Sequence, residues 1–159
     1  MLTSRWCQGS AEDRLGNRSA AHDADSGMPG RPSGPLIVSV TDFTSDAHRD
    51  LPGIVRRGLA LRRHWPRLGG AVGMWLWVAP LTRRCGSISV WTERRAMAEF
   101  IRLPEHVAIM DEYRERGTIR SVLWEYESYD AAQIRRDAEA WLRSDDRCRA
   151  AGEAPRQLG

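Results

Sequence analysis

The sequence predicts an α+β domain of ferredoxin-like type, β-α-β-β-α-β with one further helix, and three observations carry that expectation. Apolar runs of strand length, most alternating with period two, mark strands at Leu36–Phe43, Ala71–Ala79, Gly86–Trp91 and Thr118–Tyr126. Helically spaced apolar residues mark Leu51–Trp65, the stretch after Thr92 and Asp130–Arg143. Taken in order, these elements form the split β-α-β arrangement with helices on one face of an antiparallel sheet.

Each element has its own signal. Leu36–Phe43 (LIVSVTDF) is nearly continuous in apolar residues, which suits a central strand. In the first helix Ile54, Gly58, Leu61 and Trp65 share one stripe, widened by Val55 and Leu59, and Pro66 with Gly69–Gly70 ends it. Thr92 is the expected N-cap of the next helix, whose first stretch buries Met97, Phe100 and Ile101. Pro104 restarts it, and His106, Ile109, Met110 and Tyr113 then follow one face. Val122, Trp124 and Tyr126 line one side of the last strand, Ile119, Ser121 and Leu123 the other.

The chain has 159 residues, 42% apolar and 28% charged, enough for one domain with a real core. The expected organisation is a disordered arm over 1–35, a ferredoxin-like domain over 36–128, a helix over 129–144 and a flexible tail over 145–159. The arm is rich in Ser, Gly, Asp, Arg and Pro, and DSGMPGRPSGP sustains neither helix nor strand. Met28 is an alternative initiator, so Trp6 and Cys7 receive no role.

Composition also excludes functions. No apolar run approaches the ~20 residues of a membrane span, and no signal-peptide core follows the N-terminus, so a cytoplasmic protein without membrane association is expected. Cys7, Cys85 and Cys148 are too scattered for a disulfide framework or a zinc site, and no metal is expected. All 24 basic residues are arginine, which rules out a Schiff-base or phosphate-loop lysine.

Function is sought at the central hairpin. Both faces of Ala71–Ala79 are apolar, while Gly86–Trp91 sets Ile88 and Val90 against Ser87, Ser89 and Trp91. Antiparallel pairing is expected to gather Trp75, Trp77 and Trp91 beside the two serines. Such a face, apolar with a few polar groups, suits a small aromatic ligand and equally a subunit interface. A bare aromatic sheet face is a liability in a monomer, so a homodimer is the expected partner arrangement.

Three stretches, GAVGMWLW after a Gly-Gly turn, SVWTE at the strand-to-helix junction and AMAEFIRLPEHVAIM on the second helix, resemble the dimeric α/β-barrel group that includes the antibiotic-biosynthesis monooxygenases. The likeness spans Leu36–Tyr126 in element order. It implies a homodimer and a pocket between sheet and helices, with chemistry that needs no cofactor or uses haem. Trp91 matches the pocket tryptophan of the haem-degrading type, whose ligand histidine would fall at Ile101, whereas His106 lies later. The family's asparagine has no counterpart, because Asn17 is the only one.

Catalytic candidates are therefore Trp91, His106 and Tyr113, with Trp75, Trp77, Ser87 and Ser89 as ligand contacts. His106 is a haem ligand or general base, or a partly buried helix histidine. Tyr113 is a proton donor or simply packed. The serines lack a histidine–acid partner, so they orient rather than attack. The leading reading is a monooxygenase-like protein binding a flat aromatic or haem-like molecule. A non-catalytic ligand-binding or structural dimer is the alternative. An RNA-recognition module is weighed because Arg56, Arg57, Arg62, Arg63 and Arg67 crowd one helix, but CGSISVW lacks that module's basic-Gly-aromatic signature.

Overall fold

Alternating β-branched and aromatic residues build one antiparallel sheet, and helices cover part of it. The computed structural model describes residues 1–11 and 35–150, with the backbone alone for 145–150. Its elements are β1 (Leu2–Thr3), β2 (Cys7–Gln8), β3 (Leu36–Ser45), α1 (Leu51–Leu61), β4 (Ala71–Ala79), β5 (Arg84–Trp91), α2 (Arg94–Ile101), α3 (Pro104–Tyr113) and β6 (Gly117–Tyr126). These lie in one compact unit, Met1–Tyr129, and a second unit begins at Asp130. The strands run β1-β4-β5-β3-β6, and β2 also pairs with β4. The ferredoxin-like α+β expectation is met.

The loop between β4 and β5 decides the register. Pro80–Arg83 is a four-residue connection with Arg83 left-handed at φ 55°, and it sets Ala79 opposite Arg84. Odd-numbered residues of β4 therefore face even-numbered residues of β5: Trp75 pairs with Ile88, and Trp77 with Gly86. Met74 pairs with Ser89 and Leu76 with Ser87. Residues directly opposite share a face. Trp75 and Trp77 consequently lie on the face of Ile88 and Val90, and Trp91 lies on the other with Ser87 and Ser89. The expected single tryptophan face does not form. A bulge between Ala71 and Gly73 then brings Ala71 opposite Trp91.

Part of the N-terminal arm is also corrected. Met1–Ala11 is not free chain, because its two short strands lie along the outer edge of β4. The remainder, 12–34, lies outside the described residues, as does 151–159 of the expected tail.

The helical layer packs on the Trp91 face. Its core joins Ile37, Trp65, Ala71, Met74, Trp91 and Ala96, with Leu76, Met97 and Phe100 against them. The first helix is shorter than expected: after Leu61 the chain tightens into a 3-10 turn, Arg62–Arg67, that contains Pro66. Thr92 is not the cap of α2. Glu93 holds that position without a side-chain bond, while the Thr92 N–H and hydroxyl both donate to the carbonyl of Gly70, at 2.8 and 3.3 Å. Gly70 has φ +75°, and a Cβ there would lie 2.7 Å from that of Ala96, so glycine is needed at this corner.

The second unit contains α4 (Ala131–Ala150), which ends six residues beyond the expected 144. Asp130 caps it, its Oδ1 accepting from the N–H groups of Ala132 and Gln133 at 2.9 and 3.0 Å. Ile134, Ala138 and Leu142 form its buried stripe. No helix among the described residues is long and apolar enough to cross a membrane.

Candidate functional site

The expected site residues divide into three places. Trp91 anchors the first, under the helices. Trp65 closes over it with ring centroids 4.8 Å apart, and Phe100 completes the cluster at 4.9 Å from Trp65 and 5.5 Å from Trp91. Trp65 and Trp91 are both 0% exposed. The Trp91 indole N–H donates to Ser89 Oγ at 3.0 Å, and Ser89 donates to the carbonyl of Ser39 at 3.4 Å. Ser87 shares a 3.0 Å bond with Thr41 Oγ1. Both serine hydroxyls thus serve cross-strand bonds.

His106 belongs to this cluster at its rim. It occupies the first turn of α3, and its ring lies 4.9 Å from that of Phe100. Burial pulls its pKa below the ordinary value, an effect the Ile101 backbone partly opposes. His106 is therefore a neutral imidazole at pH 7. Its Nδ1 and the Nε1 of Trp65 are buried without a hydrogen-bond partner. Few buried polar atoms are left so, and each calls for an explanation.

Trp75 and Trp77 form the second place, across the sheet. Trp6 from the arm lies on Trp75 at 4.1 Å. The Trp77 N–H donates to the carbonyl of Thr41 at 3.3 Å, and the Arg84 guanidinium sits 5.7 Å from its ring centroid. The two indoles are 5% and 3% exposed within the single chain. Part of the cover expected from a partner subunit comes from the chain's own arm.

Tyr113 is alone in the third. It lies two turns beyond His106 on α3, about 10 Å along the axis, and packs against Gly53 of α1, where a Cβ would come within 2.6 Å of its hydroxyl. Its pKa is raised by burial first, then by the hydrogen bond and charge of Glu112.

A shallow cleft of about 220 Å³ between α1 and α3 is lined by Arg57, Leu61, Arg63, His64, Glu105 and Ile109, among others. Glu105 holds His64 at 3.3 Å and Arg63 at 3.7 Å there. No group of three or more His, Cys, Asp or Glu among the described residues is placed to hold a metal ion. Haem does not fit the cluster either: Trp65 and Phe100 occupy the space over Trp91, and the His106 ring is packed on Phe100.

Sequence reasoning missed three contributors. Trp65 read as one member of a helical stripe, and Phe100 as another. Trp6 lay in the segment set aside, where only its isolated aromatic character could have marked it.

Comparisons with known proteins agree at the level of the fold. A putative antibiotic biosynthesis monooxygenase from Nitrosomonas europaea aligns with TM-score 0.52 at 9% identity, covering 58% of this chain and 91% of its own. A conserved protein from Methanosarcina mazei Go1 gives 0.52 at 10%, over 60% and 96% of the two chains. A protein from Shewanella oneidensis gives 0.52 at 14%, over 58% and 92%. No family model matches the sequence, and no curated protein matches it. The chain thus has the fold of the antibiotic-biosynthesis-monooxygenase-like proteins, as its sequence motifs implied.

Proposed function

We propose that the protein binds a small, flat aromatic molecule, a phenol by preference, at the Phe100–His106 rim of the tryptophan cluster, as a monooxygenase-like member of its fold. The observation that supports this is the pair of buried ring nitrogens, Trp65 Nε1 and His106 Nδ1, within an otherwise aromatic surround. Apolar walls with a few unpaired polar atoms are the composition of small-molecule sites. Phe100 and His106 are each only half-buried, so the ligand enters at the α2–α3 junction. A neutral His106 accepts the phenolic O–H, and the Trp65 N–H, closed to solvent in the unliganded fold, donates to the oxygen once the half-buried Phe100 ring swings aside. In a homodimer, the oligomer this reading expects, each subunit holds one such site.

Titration of the protein with a panel of phenols, followed by tryptophan fluorescence and oxygen uptake, tests the reading. Saturable quenching is expected, with affinity at least tenfold weaker in His106→Ala and in Trp65→Phe. Binding unaffected by both substitutions would refute it.

A second reading, a non-catalytic structural dimer, is favoured by the filled interior and by the two serines already engaged in the sheet. Absence of both quenching and oxygen uptake across the panel would support it.

A further inference from the structure

We infer that the open edge of β6 is where two copies of this chain join, by antiparallel pairing of β6 with β6 about a twofold axis at Ser121. This assigns the interface of the homodimer that the phenol reading expects, and rests on nothing else in that reading.

Among the described residues the sheet leaves one place for a partner. Its face away from the helices is closed within a single chain: Val38, Val40 and Val90 are 0% exposed and Ile88 is 1% exposed. The outer edge of β4 is taken by β1 and β2. At the other end of the sheet β6 pairs with β3 alone, in an unbroken register from Gly117 to Tyr126. No backbone group of the described residues bonds to the outer side of β6. A long open edge presents its unpaired N–H and C=O groups to any extended chain that matches it.

The phase of the ladder shows which residues face outward. Asp46, which continues β3, donates its N–H to the carbonyl of Arg116 at 2.9 Å. Even-numbered residues of β6 thus turn their backbone groups toward β3, and the odd-numbered residues between them turn theirs outward. Ile119, Ser121 and Leu123 are the outward set at the middle of the strand. Their side chains are exposed as well, Ile119 at 52% and Leu123 at 41%.

The spacing of this set is self-complementary. An axis through Ser121 sets Ile119 opposite the partner's Leu123, and Leu123 opposite the partner's Ile119. All are outward positions, so each opposed pair exchanges both of its backbone bonds. Directly opposite side chains share a face, and each aliphatic pair is covered by its own contact. An axis one residue away, at Arg120 or Val122, would instead set Ile119 against the partner's Ser121 or the partner's Glu125.

Charge favours the same arrangement. The stretch 114–120 carries Arg114, Arg116 and Arg120 against a single acid, Glu115, while 125–127 carries Glu125 and Glu127 with no cation. Antiparallel pairing lays the basic end of each copy beside the acidic end of the other, whereas parallel pairing would place like beside like. The contact is isologous, so it closes as a dimer.

The test uses the full-length chain. Sedimentation over a dilution series from about 100 to about 1 μM is expected to show a monomer–dimer equilibrium. Ile119→Lys combined with Leu123→Lys, both at exposed positions and with folding checked by circular dichroism, is expected to raise the dissociation constant at least tenfold. Cross-linking reads the register. In a chain carrying Cys7→Ser and Cys148→Ser, Ser121→Cys sets two thiols opposite one another at about 5.5 Å between Cα atoms, a separation that a disulfide spans. Thr118→Cys, exposed on the same strand, sets its two thiols roughly 20 Å apart. Mild oxidation should therefore link the Ser121→Cys protein and leave the Thr118→Cys protein unlinked. A monomer throughout the dilution series would overturn the proposal. So would a dimer that survives the two lysine substitutions, or one that links as readily through position 118 as through position 121. Phenol quenching by a protein that stays monomeric would leave the phenol site standing while this interface falls, so the two readings fail separately.

Discussion

Trp65, from the turn after the first helix, closes over Trp91, from the end of β5, at 4.8 Å between ring centroids, and solvent reaches neither ring. This contact ties the helical layer to the sheet. Aromatic truncations in a core cost about 3–5 kcal/mol, and Trp65→Ala and Trp91→Ala are each expected to destabilise by that amount in urea denaturation. Tilted rings at this distance couple by roughly 0.5–1.5 kcal/mol, so the double variant should lose less than the two single losses together. Strict additivity would show that the pair does not act as a unit.

Asp42 is fully buried between two arginines. Its Oδ1 and Oδ2 accept from Arg84 at 3.1 and 2.7 Å, and Oδ2 also accepts from Arg120 at 2.8 Å. The Arg84 side chain is itself 4% exposed. Removing one partner of a buried ion pair leaves a charge uncompensated, at a cost of about 3–5 kcal/mol. Asp42→Asn should therefore be among the most destabilising polar substitutions, and Arg94→Ala, at an exposed pair with Glu125, among the least. Equal midpoints for the two variants would contradict this.

Cys85 is held neutral by its surroundings. Burial, and secondarily the charge of Asp42, push its pKa from 9.0 to about 11. The thiol in the unfolded chain ionises first as pH rises, so the associated stability is present below pH 9.0 and lost on the way to about 11. Two units correspond to about 3 kcal/mol. A Cys85→Ala protein should show a shallower fall in stability over that window, and Cys85 in the native protein should resist alkylation at pH 8. Rapid modification of the folded protein at that residue would sink the idea.

The sign is opposite at His106. Its pKa is depressed in the fold, chiefly by burial, so the unfolded chain takes up the proton first as pH falls. The stability attached to neutral His106 is complete above the unfolded value near 6.5 and is lost as pH falls through the folded value. Denaturation midpoints of the native protein should drop below pH 6.5 more steeply than those of His106→Gln. Parallel curves would show that His106 is not buried neutral.

Much of the fold was legible from residue order. Ala71–Ala79 and Pro104 were placed correctly by period and by proline preference, because both signals act within a few residues. The candidate site was legible only in part. Trp91, Ser87 and Ser89 do share a face, as alternation along one strand requires. Trp75 and Trp77 do not join them, because faces are matched across strands by a four-residue loop. Trp65 and Phe100 come to Trp91 from two different helical segments, an encounter that no spacing rule encodes. Thr92 has a good capping side chain, yet the corner at Gly70 takes its hydroxyl.

By itself the sequence determined which segments become strand or helix, their order, and hence the ferredoxin-like class, since periodicity and helix-breaking residues are local properties of the chain. Tertiary structure alone decided which side of the sheet each tryptophan occupies and that Met1–Ala11 lies along β4. A one-residue change of register reverses every side chain of a strand, and a strand edge offers its hydrogen bonds to whatever extended chain reaches it.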